Sequence, residues 1–294
     1  MKLRHGQAVA LMVLVTAMWS IAGVVTRQLE AARSFEVTFW RSLFTWLSLI
    51  AILALWQGRG TWRRMPWTSA YFWLSGVCWC VMFTAFMVAL TLTAVANVLI
   101  TMAVGPLVTA LFTRLVLRHP LPWRTWGAIV LAGCGIGWMY GSQLSLGAPN
   151  FLLGSLVALC VPFAAAVQWT LVQKSHAQGL DLDLVPSVMV GAALSTVLTL
   201  PLAWPLQASG HDVAWLAMLG LFQLAIPCAL SVMCARVLKA PEVSLLALLE
   251  IVFGILLAWL GAHEAPQASV LLGGTLVLGA LVLNEWLGWR NKRV

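Results

Sequence analysis

The chain alternates long apolar runs with short polar or basic joints. Residues 6–26 contain no Asp, Glu, Lys or Arg, and neither do residues 65–113 or 125–173. A helix needs about 20 residues to cross roughly 30 Å of hydrocarbon. The first run therefore predicts one membrane span, and the other two predict a pair each. The polar, β-branched stretch Thr91-Leu-Thr-Ala-Val95 divides the second run, and the turn segment Gly141-Ser-Gln-Leu-Ser-Leu-Gly-Ala-Pro-Asn150 divides the third. Ten spans are expected, at about 6–26, 35–56, 69–90, 95–116, 124–140, 151–173, 184–206, 213–235, 241–261 and 266–286.

Charge placement tests that number. With ten spans and the N-terminus inside, Lys2, Arg4, Arg59, Arg63, Arg64, Arg114, Arg118, Arg124, Lys174, Arg236, Lys239, Arg290, Lys292 and Arg293 all fall on the cytoplasmic side. That is 14 of 17 basic residues, and one missed or invented span would scramble the alternation beyond it. Both termini are expected in the cytoplasm. The first run follows Met1-Lys-Leu-Arg4, as a signal peptide would. It continues through Trp19 and Ser20 to Val25 with no small-x-small cleavage site, so it reads as a span.

Composition agrees. Of 294 residues, 62% are apolar and only 9% charged, against roughly 25% in an average soluble domain, and the mean hydropathy is +0.94. So few charges cannot cover a soluble protein of this size, whereas membrane lipids require none. The 17 Trp outnumber the 2 Tyr, and several stand at the ends of apolar runs, where headgroups favour them. The net charge of +8 sits in small groups between spans, not along one face, so no nucleic-acid partner is implied. Six Cys all fall within expected spans with no His or carboxylate spaced for a metal, and they read as inert thiols.

Five spans occupy residues 1–145 and five occupy 146–294. Five is odd, so the second half enters the membrane from the opposite face. The expected fold is an all-α integral membrane protein of ten transmembrane helices in two inverted five-helix repeats, an arrangement that supports alternating access.

Several motifs recur along this frame: Trp19-Ser20-x-x-Gly23, Glu36-Val-Thr-Phe-Trp-Arg41-Ser, Thr93-Ala-Val-Ala-Asn97, Gly105-Pro106 and Trp126-Gly127 in the first half. The second half has Ala240-Pro-Glu-Val-Ser244, Leu249-Glu-Ile-Val-Phe253, His263-Glu264 and Gly273-Gly274. With these the chain resembles the drug/metabolite transporter superfamily, specifically its EamA-like ten-helix exporters. It departs from the family's Gly-Glu pairs, with Arg118-His119 in the first half and His263-Glu264 in the second, and has Ile251 where Pro is common. The resemblance implies outward transport of an amino acid or other small polar or amphipathic metabolite across a bacterial cytoplasmic (inner) membrane, with protons as a candidate coupling ion.

Among individual residues, Glu250 is the sharpest signal. About nine residues into its span, it lies about 13 Å from the cytosolic end, where a carboxylate is costly unless protonated, paired or facing a polar cavity. Arg41, a turn and a half into span two, is expected to snorkel outward, to bind a substrate carboxylate, or to pair with Glu36 or Glu250. Asn97, Thr101, Gln168 and Gln223 need hydrogen-bond partners in hydrocarbon, either across helices or along a substrate path. Trp19 and Trp169 occupy the first helix of each half and suit either a flat cavity wall or packing. Pro106, Pro162 and Pro227 are candidate helix breaks.

No phosphate-binding loop, dinucleotide fingerprint or HExxH motif occurs, so no cofactor, metal or ATPase partner is implied. A membrane-embedded enzyme and a scaffold or receptor stand as alternatives. An enzyme would need a compact polar constellation, but His5, His119, His176, His211 and His263 all lie in flanks or loops.

Overall fold

In a computed structural model, residues 3–117 (without 59, 61, 63 and 64) and 150–290 (without 181 and 264) are described. Between these stretches, residues 123, 126–128, 130, 131, 133–135 and 138 are described as well. The described residues form helices joined by turns, with no strand among them. Eight helical segments are long and apolar enough to cross a membrane: His5–Thr26, Phe35–Trp56, Ala70–Leu92, Val95–Val116, Phe151–Ala177, Val185–Ala203, Gly210–Cys234 and Glu242–Gly261. They coincide with expected spans one to four and six to nine. Shorter apolar helices, Trp126–Gly135 and Leu271–Ala280, lie where spans five and ten are expected. The turn expected over 141–149, the Arg118-His119 pair and Glu264 lie outside the described residues.

Several spans are not single helices. Span one is α1 (His5–Trp19) and α2 (Ile21–Thr26), broken at Ser20. Span two is α3 (Ser34–Gln57) and span three is α4 (Ala70–Leu92). Span four divides into α5 (Val95–Met102) and α6 (Gly105–Leu117). Span six is α7 (Phe151–Ala177) and span seven is α8 (Val185–Ala203). Span eight runs through α9 (Gly210–Met218), a π-helical segment (Leu219–Ala225) and α10 (Ile226–Cys234). Span nine divides at Leu248 into α11 (Ala240–Ala247) and α12 (Leu249–Ala262), and α13 (Ala268–Arg290) follows.

Proline chemistry explains two of these irregularities. Pro lacks an N–H, so the carbonyl four residues earlier loses its helical partner. For Pro106 that carbonyl belongs to Met102, where α5 ends. For Pro227 it belongs to Gln223, and the chain widens there into the π-helical segment. Pro162, also a candidate break, sits inside the uninterrupted α7, which absorbs the missing bond.

The two halves are intercalated. Span three packs on spans six and seven, span two on seven and eight, span four on six and nine, and span one on eight and nine. Small hydroxyl side chains pair across these contacts. Ser75 meets Ser187 at 2.6 Å, Ser42 and Thr84 both meet Ser195 at 2.9 Å, and Thr109 meets Ser244 at 2.7 Å. Such pairs let helices approach closely while satisfying polar groups away from water.

The tightest approach is at Gly191 of α8. A Cβ there would lie 2.4 Å from Trp79 Cβ and 2.8 Å from the Gly76 carbonyl oxygen. Backbone cannot yield as a side chain does, so Gly191→Ala is expected to cost about 1–3 kcal/mol. The check is a lowered thermal unfolding midpoint of the detergent-purified protein. An unchanged midpoint would mean that spans three and seven separate easily.

Candidate functional site

At mid-depth the intercalated spans leave a cavity of about 110 Å³ bordered by both halves. Its polar wall is built from Arg41, Gln223 and Glu250, and its aromatic wall from Trp19, Trp79, Phe83, Phe86 and Trp169. A larger cavity of about 320 Å³ lies between α4, α6 and α7. That one has Tyr71, Thr170 and Lys174 among apolar side chains, whereas the central cavity carries buried charges of both signs and is the stronger candidate.

Arg41 does not snorkel. It is fully buried in α3, and its guanidinium faces inward. Its Nη1 donates to Gln223 Oε1 at 3.0 Å and its Nη2 to the Phe83 carbonyl at 2.8 Å. The guanidinium carbon lies 5.9 Å from the Phe86 ring centroid, within cation–π range. The expected pairing with Glu36 does not form, because that carboxylate instead binds backbone amides of residues 207 and 208. Inward fixation wins because a planar fork held by an amide, a carbonyl and a ring needs no bulk water. Nε has no hydrogen-bond partner among the described residues.

Gln223 ties this cluster to the break in span one. Its Nε2 donates to the Trp19 carbonyl at 3.2 Å, at the last residue of α1. The break at Ser20 and the π-helical segment in span eight thus present two complementary groups to each other. Together with Arg41 they link spans one, two, three and eight at one point.

Glu250 reaches the same cavity from span nine and is 8% exposed. Because the span divides at Leu248, Glu250 lies in the first turn of α12, where the helix dipole favours a negative charge. It makes no ion pair within 4 Å among the described residues, and it interacts electrostatically with Arg41 across the cavity. A solute there meets one cation, one anion and flat aromatic walls.

The other sequence candidates take different places. Trp169 packs edge-on against Trp79, with centroids 5.9 Å apart, and both face the cavity. Asn97, Thr101 and Gln168 are buried but outside its wall. Asn97 Nδ2 donates to Thr93 Oγ1 at 3.1 Å, while Thr101 Oγ1 donates to the Asn97 carbonyl at 2.7 Å. Neither amide atom of Gln168 has a partner among the described residues. Trp79, Phe83, Phe86 and Cys228 also line the cavity but were not singled out from the sequence. In a uniformly apolar span, no spacing marks them out from packing residues. Among the described residues, no three His, Cys, Asp or Glu side chains group as metal ligands would.

Residues 6–141 match the profile of the EamA-like transporter family. A solved structure described as "Crystal structure of protein" has the same fold over 95% of this chain and 98% of its own, with a TM-score of 0.68. It is 18% identical in sequence, so that likeness speaks to the fold alone. No curated protein matches the sequence. The match over residues 6–141 lies in the first half of this multi-pass, all-helical membrane protein and is consistent with the drug/metabolite transporter superfamily that its motifs resemble.

Proposed function

We propose that the protein is a secondary transporter that exports an amino acid or other small polar metabolite across a bacterial cytoplasmic membrane by alternating access, with protons coupled through Glu250. The observation that carries this reading is the joint presence of Arg41 and Glu250 on one cavity bordered by both halves. A zwitterion offers a carboxylate to the cation and an ammonium to the anion, and aromatic walls suit an apolar side chain. The cavity is smaller than the roughly 300 Å³ of a typical ligand site, which fits a closed conformation that widens to load.

The reading includes two inverted five-helix repeats, 1–145 and 146–294. The packing supports it. Advancing each span number by five, modulo ten, turns the three–six contact into eight–one, three–seven into eight–two, and four–six into nine–one. Two–seven and four–nine map onto themselves. Symmetry of this kind supports rocking of one half against the other.

The test is a solute survey in sealed proteoliposomes with amino acids, nucleobases and amines, with and without an imposed pH gradient. Saturable movement of at least one solute is expected, and folded protein that moves none would contradict the reading. Orientation is tested separately. Tags at both termini should be protected in intact cells, while a tag inserted at 143–149 should be reachable from outside. A cytosolic 143–149 tag would overturn the ten-span count.

A further inference from the structure

Two buried carboxylates outside the cavity join the halves at one membrane face, and each takes its shortest hydrogen bonds from the other half, beside a longer one within its own. Glu36, in the first turn of α3, is fully buried. Its Oε1 accepts from the backbone amides of Gln207 at 2.7 Å and Ala208 at 2.6 Å, in the connection between spans seven and eight. Asp212, in the first turn of α9, is also fully buried. Its carboxylate accepts from the amides of Glu30, Ala31 and Ala32, each at 2.9 Å, in the connection between spans one and two.

Helix capping explains only part of this. Asp212 forms a capping box with Ser209, which accounts for one amide at 3.4 Å. The three amides from the first half stand outside that box, and Glu36 accepts from the amides of another span's loop. Glu36 lies five residues from Arg41, about 8 Å along the helix, so the paired carboxylates sit just beyond the cavity. At the same face Arg27 donates to the Leu90 and Thr93 carbonyls at 3.2 and 3.1 Å.

We infer that Glu36 and Asp212 form a reciprocal latch that holds the cavity closed toward the face carrying the span one–two and seven–eight connections. Charge-assisted hydrogen bonds to backbone amides are strong and directional, and the five shortest here all bridge between the halves. Opening that face requires the two connections to part, which breaks both sets together. The inference rests on the alternating-access reading.

Cys228 lines the cavity and serves as the probe of access. With Cys78, Cys80, Cys134, Cys160 and Cys234 replaced by Ala, the Cys228 thiol is reacted with a charged, membrane-impermeant methanethiosulfonate from the latch face of oriented vesicles. In the otherwise native protein the reaction should be slow. Glu36→Ala combined with Asp212→Asn removes the acceptor of the 207 and 208 amides, sets an amide N–H against the backbone amides of residues 30–32, and should speed it at least tenfold from that face, but not from the other. If the double variant fails to insert, Ala208→Pro decides: it deletes one donor, keeps both carboxylates, and should give a smaller increase on the same face. Parental labelling in an inserted variant, or equal acceleration from both faces, would overturn the latch. Solute movement is scored independently, so accelerated labelling without any transported solute would keep the latch and reject the transport reading.

Discussion

Replacing Glu250 by Gln is expected to leave an inserted, folded protein whose transport has lost its normal pH response, or which fails to move an amine-bearing solute. The substitution keeps nearly the same volume and much hydrogen-bonding capacity while removing titration and charge. Glu250 has no hydrogen bond or ion pair within 4 Å among the described residues, so the substitution breaks no short-range contact and removes only its longer-range attraction to Arg41 and the helix start. A charge-assisted contact to a substrate ammonium contributes about 1.5–3 kcal/mol, or roughly a tenfold to hundredfold change in rate at limiting substrate. Initial rate against pH in proteoliposomes, normalised to oriented protein, is the check, with Glu264→Gln as the control. If the Glu250→Gln profile overlays the parent, Glu250 is a packing residue.

Arg41→Lys is expected to be nearly as damaging although the charge is kept. The guanidinium reaches Gln223 Oε1 and the Phe83 carbonyl at once and lies against Phe86. An ammonium on a flexible stem cannot reproduce that planar geometry, and it leaves a buried acceptor unpaired. Substrate affinity should fall about tenfold or more, measured as KM or by binding. Parental affinity in Arg41→Lys would show that only the charge matters.

Spans were the most legible part of the fold because hydrocarbon imposes one rule on all of them: about 20 residues without an unpaired charge. Eight expected spans correspond to helices long enough to cross. Internal irregularities were harder to read. Pro106 and Pro227 announce theirs by the lost N–H, yet Pro162 has the same chemistry and α7 stays whole. The division at Leu248 has no signal at all: Leu245-Leu-Ala-Leu-Leu-Glu250 contains neither Gly nor Pro. Glu250 stood out as a buried charge, but its place at a helix start is a product of tertiary packing.

Arg41 shows the same limit from another side. Its depth in span two was readable, and snorkelling was the natural expectation for a long side chain near a membrane face. What turned it inward is an amide from span eight and a carbonyl from span three, 182 and 42 residues away in sequence. Likewise, nothing in the sequence around Glu36 and Asp212 marks their partners, and only the intercalation of the halves brings each to the other half's loop.

The most direct test of the central claim, that solute passes through the cavity shared by the two halves, is substrate protection of Cys228. In the single-cysteine protein, the rate of thiol modification is measured with and without a saturating concentration of a solute that the survey shows to be transported. The account predicts that this solute slows modification several-fold, that an untransported analogue does not, and that protection is weakened in Glu250→Gln and Arg41→Lys. Unchanged modification at saturating solute would contradict it and place the transport path elsewhere in the bundle.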